Sequence, residues 1–259
     1  MYVTVAVLAA LCCAALCAVA SRASDAAPIT VTRTVHFEVA SPAQQAQVTD
    51  VSYASITHDA LIECLATPGG CLIRRSEDNG STWTTTETWI GSEALQGDRY
   101  LERDTPVFYL DPDTGWMFRV YMECESLRGI PPWDDRSPVI STRRLYTQVS
   151  KDQGITWGPP QQVIQKGAGH DEVHWADGVW YGKNSLAVEG THITKLADGT
   201  ILMPYWGYRL HANGSIRSPE DGWTTSVNGC FLGRWRPGGS GLEWDSGATM
   251  TLPREFSAD

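Results

Sequence analysis

The sequence predicts an all-β chain folded as successive wedges of a radial sheet assembly, on three observations. An octapeptide, Ser76-Glu77-Asp78-Asn79-Gly80-Ser81-Thr82-Trp83, has the pattern Ser-x-Asp-x-Gly-x-Thr-Trp, which returns complete from Ser150 to Trp157, 74 residues on. Each copy follows a short alternating apolar run, Cys71 to Arg75 and Leu145 to Val149, so each marks a strand end and reads as strand, tight turn, strand. Eleven Trp, nine Tyr, 24 Gly and 14 Pro in 259 residues suit many short strands and turns, and helical periodicity is hard to find after residue 20. A repeated supersecondary unit implies stacked or radial architecture.

In chain order, residues 1–20 carry no charge, are dominated by Val, Ala, Leu and Cys, and end in the small-x-small pattern Ala18-Val19-Ala20. They read as a secretory signal, with an uncleaved membrane anchor as the alternative. Residues 21–45 form a leader segment around one strand-like piece, Val31 to Val39, and residues 46–259 form the domain that carries the repeats, an incomplete radial assembly. Val51 to Ile56 and Ala60 to Cys64 alternate as the first strand pair, and the first octapeptide closes that wedge. Residues 89–105 are polar and read as irregular. Pro106 to Leu110 is a strand, Asp111 to Gly115 a turn and Trp116 to Met122 a strand, and the second octapeptide closes this wedge. Gly158 to Asn184 is the longest non-repetitive segment. Thr191 to Leu196 and Ile201 to Trp206 flank the turn Ala197-Asp198-Gly199-Thr200 and open a third wedge. Its closing turn, ending at Trp244, resembles a decayed copy of the octapeptide. About three wedges cannot close a ring, so the expectation is the front half of a longer ring, with closure by a second copy as the alternative.

Composition narrows the functional classes. The chain is 42% apolar and 19% charged, enough for a sizeable core, and its formal net charge of −10 argues against a surface that tracks phosphates, so nucleic acid is set aside as a partner. Of seven Cys, Cys12, Cys13 and Cys17 leave with a cleaved signal. Cys64, Cys71, Cys124 and Cys230 then permit two disulfides in an exported chain, or remain buried thiols. Cys64 and Cys71 flank a turn-like loop and suit a bridge across a hairpin.

Two complete octapeptides at corresponding points of a strand pattern resemble the Asp-box, or bacterial neuraminidase, repeat of the sialidase superfamily. The resemblance implies a six-bladed β-propeller with the Asp boxes at outer hairpins, away from the substrate. Ser76, Asp78, Gly80 and Trp83, with Ser150, Asp152, Gly154 and Trp157, are therefore read as structural: Asp accepts from backbone donors across the turn, Gly supplies a positive φ and Trp covers the flank. The implied activity is metal-free and cofactor-free hydrolysis of a terminal glycosidic bond in a glycoconjugate, as in an exo-sialidase, by a protein that is secreted or, if residues 1–20 stay in place, membrane-anchored. A non-catalytic carbohydrate- or protein-binding propeller is the alternative.

Where successive first strands converge on one mouth, a ligand site is most simply built. The residues read at those entrances are His58 and Asp59, Arg103 and Asp104, and Glu189 with His192. Asp59, Asp104 and Glu189 are the catalytic candidates, and Arg103, His58 and His192 the substrate-binding ones, because carboxylates with a guanidinium suit acid/base work on a sugar. Trp175 and Trp180 are expected to stack on a sugar ring. The family's first carboxylate-clamping Arg has Thr57 in its place, and a hydroxyl cannot replace a guanidinium fork. The spacing of His170 and His174 admits a zinc reading, but the surrounding Gly residues argue against a helix and no third ligand is evident.

Overall fold

The computed structural model describes residues 50–55, 60–67, 70–131, 136–188, 192–208, 210–217, 220 and 226–251, with only the backbone described for 50–55 and 67. His58, Asp59, Glu189 and the piece Val31 to Val39 lie outside them. The described residues form several antiparallel sheets, none closed on itself.

The first sheet is a meander of β1 (Asp50–Ser55), β2 (Leu61–Thr67), β3 (Gly70–Ser76) and β4 (Thr84–Ile90), in that order. A disulfide joins Cys64 of β2 to Cys71 of β3 across the hairpin, while Cys124 and Cys230 are free thiols. The second sheet contains β5 (Ser92–Ala94), β6 (Arg99–Arg103), β7 (Val107–Leu110), β8 (Met117–Leu127), β9 (Arg144–Ser150) and β10 (Gln161–Gln162), ordered β10-β9-β8-β6-β5. At 11 residues β8 is long enough to carry two short partners end to end: β7 pairs with Met117 to Val120 and β6 with Glu123 to Leu127. A single helical turn, α1 (Val139–Thr142), leads from β8 to β9.

The third sheet repeats that plan. β11 (Leu186–Val188) and β12 (Thr194–Lys195) lie end to end along β13 (Ile201–Tyr208). β14 (Ser226–Trp235) follows, flanked by β15 (Leu242–Ser246) and β16 (Met250–Thr251). Within each sheet, chain order and spatial order largely coincide.

Two cores result, because β8 alternates its side chains between faces with the period of a pleated strand. Met117 and Tyr121 face the first sheet and pack with Ile62, Cys64, Ile73 and Trp89. Phe118 and Val120 face the other way and pack with Leu145, Trp175, Met203, Phe231 and Trp244. Each such side chain taken fully from water contributes about 1.5–3 kcal/mol.

Three expectations are corrected. Residues 89–105 contain β5 and β6; Arg99 to Arg103 is polar because it is half exposed and pairs with the charged end of β8, so cross-strand ion pairs replace apolar contacts. Trp175 has no accessible surface and belongs to the core, so it cannot stack on a ligand. Trp244 does not cover a turn: it lies within β15, and a Cβ on Gly233 opposite would meet its ring at 2.5 Å. The turn before it, Pro237–Gly239, is a 3-10 turn lacking the Ser and Asp that build the other two corners.

Candidate functional site

The two octapeptides fold into the same corner. Ser76 Oγ donates to Asp78 Oδ1 at 2.8 Å and accepts from the Gly80 N–H at 2.8 Å; Asp78 accepts from the Thr82 N–H and hydroxyl at 2.8 and 2.7 Å. In the second corner Ser150 donates to Asp152 at 2.8 Å and accepts from Gly154 at 2.7 Å, and Asp152 accepts from the Thr156 N–H and hydroxyl at 2.8 and 2.5 Å. Gly80 and Gly154 share a φ of 83°. The Thr82 N–H, its hydroxyl and Ser76 hold Asp78 below the ordinary carboxylate range. At Asp152 burial works against ionisation, but the Thr156 hydroxyl and N–H and Ser150 outweigh it, and the carboxyl is again lowered. Both Asp side chains are spent on their own turns, as expected of structural residues.

Strand register sets the corners at one end of the sheets. Ser55, Leu61 and Ser76 are aligned there, so the strand ends that bracket His58 and Asp59 lie at the corner end of the first sheet. At the opposite end of the second sheet, β6 begins, β8 ends and β9 begins. This end carries the charge.

Alternation divides those charges between two faces. On the face turned to the first sheet, Arg103 donates to Glu123 at 3.0 Å and to Glu93 at 3.2 Å. Glu125, also ion-paired with Arg99, accepts from the Tyr181 hydroxyl at 2.6 Å, and the Arg144 guanidinium lies 3.6 Å from the centre of the Tyr181 ring.

On the face turned to the third sheet, Glu102 accepts from the Ser126 hydroxyl at 2.7 Å and stands opposite Cys124. Tyr100, Glu102, Ser126, Arg128 and Val139 line a cleft of about 540 Å³, with the Arg128 guanidinium 5.1 Å from the Tyr100 ring centre. Asp104 lies in the break between β6 and β7, anchored by its N–H to the Met122 carbonyl at 3.0 Å. Its side chain reaches solvent, yet the protein packed around it pushes the carboxyl above its ordinary range; Arg143 draws it back and Glu102 pushes it further. Arg143 also stands 5.5 Å from the centre of the Trp206 ring. Burial first, then the Asp104 charge, pushes the Cys124 thiol to about 12, so it is no nucleophile at neutral pH.

Among the described residues the sequence-derived candidates are dispersed. Arg103 and Asp104, adjacent in the chain, serve opposite faces. His192 is exposed in the break between β11 and β12, the counterpart in the third sheet of the break that holds Asp104. Trp180 is half-buried with its ring parallel to His174, 4.4 Å between centroids, so a protein ring already stacks on it. The His170 to Asn184 stretch is held by local hydrogen bonds and by one to β13: Asp171 accepts from the N–H groups of Val173 and His174, and buried Asn184 donates to the Gly178 and Tyr208 carbonyls. Among the described residues no group of three His, Cys, Asp or Glu is placed to hold a metal ion. Tyr100, Glu102 and Arg143 escaped the sequence reading; the alternation within Arg99 to Arg103, opposite Glu123 and Glu125, was the signal for the first two.

No protein-family model matches the chain, and no curated protein matches it either.

Proposed function

We propose that the chain is a glycan-directed protein of the Asp-box propeller class, exported from the cell, that hydrolyses a terminal glycosidic bond with Asp104 as general acid. In this reading the three sheets are three of the six wedges of a sialidase-like ring, and the corners sit away from the substrate. The observation that carries the reading is the place of Asp104: an exposed carboxyl in a first-strand break, two residues along the strand from the cleft-lining Glu102, raised above its ordinary range by the protein packed around it and within the field of Arg143. Two carboxyl groups in unequal surroundings are the apparatus of glycoside hydrolysis. Asp104 in its acid form protonates the glycosidic oxygen as its bond to the anomeric carbon breaks, Glu102 stabilises the positive charge developing on the ring, water adds to that carbon and returns a proton to Asp104, and Tyr100 offers a face for the sugar. The Cys64–Cys71 disulfide supports an oxidising destination.

Fluorogenic glycosides test the proposal, with a sialoside first among them. Asp104→Asn is expected to lower turnover about 100-fold or more while glycan binding persists. Turnover unchanged in that variant, or absent from the parent protein across the panel, sinks the hydrolase.

A second reading, a glycan-binding propeller without catalysis, is favoured by one observation. Arg103 is already engaged by Glu93 and Glu123, and Thr57 stands where the resemblance puts the first clamping Arg, so neither position offers a free guanidinium to a sialate carboxylate. Retention on a glycan array without turnover supports this reading; no retention by any glycan removes it.

A further inference from the structure

The opposite face of β8 holds a second cleft, of about 520 Å³, between the first and second sheets. Arg119 lines it and is only 3% exposed, its guanidinium 4.8 Å from the Trp89 ring centre and 4.6 Å from that of Trp157. Glu87 holds it with both carboxylate oxygens, at 2.6 and 3.2 Å, and Gln148 accepts from its Nε at 3.0 Å. The Arg103–Glu123 pair also lines the cleft. The charges around it cancel: two guanidinium groups, Arg103 and Arg119, face two carboxylates, Glu87 and Glu123. An anionic ligand finds no uncompensated cation there.

Aromatic rings supply the rest. Tyr121 and Tyr146 stack at 5.7 Å with 19° between their planes, and Trp89 meets Tyr121 edge-on at 4.8 Å. Trp89 lines the cleft, and its buried Nε1–H has no acceptor. Half-buried Tyr146 offers a ring face and the partly exposed Arg103–Glu123 pair sets a forked donor beside a carboxylate acceptor, in a cleft of zero net charge whose buried floor is Trp89, Tyr121 and Arg119; this is chemistry that recognises a neutral sugar. The C–H face of a pyranose stacks on a ring, while its neighbouring hydroxyls accept from a guanidinium and donate to a carboxylate.

We propose that this cleft binds a neutral hexopyranoside unit of a glycan, separately from the cleft near Asp104. The proposal goes beyond the catalytic reading and does not depend on it. The test is titration of the full chain, isotope-labelled at its indole nitrogens, with methyl α-mannoside, methyl β-galactoside and methyl β-glucoside, and with sialic acid as the anionic control. A saturable shift of the Trp89 indole resonance with a neutral glycoside is expected, at a Kd on the order of 1 mM, with Trp83 unmoved. Tyr146→Ala is expected to weaken binding about tenfold or more, Tyr146→Phe to preserve it, and Asp104→Asn to leave it unchanged. No Trp89 shift with any neutral glycoside, equal shifts at Trp83, tighter binding of sialic acid, or unaltered binding in folded Tyr146→Ala overturns the proposal. Should Tyr146→Ala not fold, the Trp89 resonance of the parent protein decides. Turnover is read separately, so failure of this site and failure of the hydrolase remain distinguishable.

Discussion

Asp111 has no accessible surface; the Asp113 and Thr114 N–H groups of its own turn donate to it, and the rest of its donors come from other strands. Lys195 Nζ donates to both its oxygens at 2.7 and 2.8 Å, and the Trp235 indole N–H reaches it at 2.6 Å. The β7–β8 turn is thereby tied to β12 and β14. Asp111→Ala leaves the Trp235 indole without its acceptor and Lys195 with Asp113 alone, at 2.8 Å, and is expected to cost about 2 kcal/mol in urea unfolding. Burial works against ionisation of Asp111, but Lys195, Trp235 and two backbone donors outweigh it, so the carboxyl is lowered. A lowered carboxyl contributes stability above its unfolded pKa of about 3.9, and that stability is lost as pH falls through the folded value. Asp78 and Asp152 act in the same direction, so the fold should soften below about pH 4. Asp104 has the opposite sign. Raised in the folded state, it binds more protons folded than unfolded, so its ionisation lowers stability as pH rises. Asp104→Asn should therefore raise the Tm at pH 7 and give no such gain at pH 3, even as it removes turnover. A variant that gains equally at both pH values would contradict the assigned environment.

At the scale of single elements, the corners make a comparative test possible. Gly80 and Gly154 share a φ of 83°, so an alanine at either is strained in the same way. Their surroundings differ: a Cβ on Gly80 would meet Leu61 at an ordinary 3.5 Å, whereas one on Gly154 would meet Ile62 Cδ1 at 2.9 Å. Gly80→Ala is expected to cost about 1 kcal/mol, and Gly154→Ala about 1–3 kcal/mol more, because the second corner packs on the first sheet's core residue. Equal losses of stability by denaturation would mean that this contact is not made. The β2–β3 hairpin offers an independent check. Its disulfide closes a short loop, so Cys71→Ser is expected to cost about 2 kcal/mol by the loop-entropy relation, with the paired strands otherwise retained by circular dichroism.

For the molecule as a whole, the second sheet matters most because it is covered on both faces. Arg119 fastens one face: it leaves β8, passes between two indole rings and ends on Glu87 of β4. Lysine cannot supply the planar fork that meets both Glu87 oxygens and Gln148, so Arg119→Lys should cost about 2 kcal/mol despite its charge. Loss of less than about 0.5 kcal/mol, the scale of an exposed ion pair, would show the bridge to be unimportant.

What the sequence by itself determined was local. The octapeptides name donors and acceptors within seven residues of one another, so both corners, and the hairpin bridged by Cys64 and Cys71, were legible before any coordinates. So were three groups of strands, because alternation and turn residues are written along the chain. Only the tertiary structure decided which face each residue serves. It sent Arg103 and Asp104 to opposite sides of one sheet, enclosed Trp175 in the core, drew Trp244 out of its turn into a strand, and brought the charges of Glu102 and Arg143 to bear on Asp104. The reason is physical: a turn is satisfied by its own neighbours, whereas burial and electrostatic surroundings depend on which other sheet comes to cover a face.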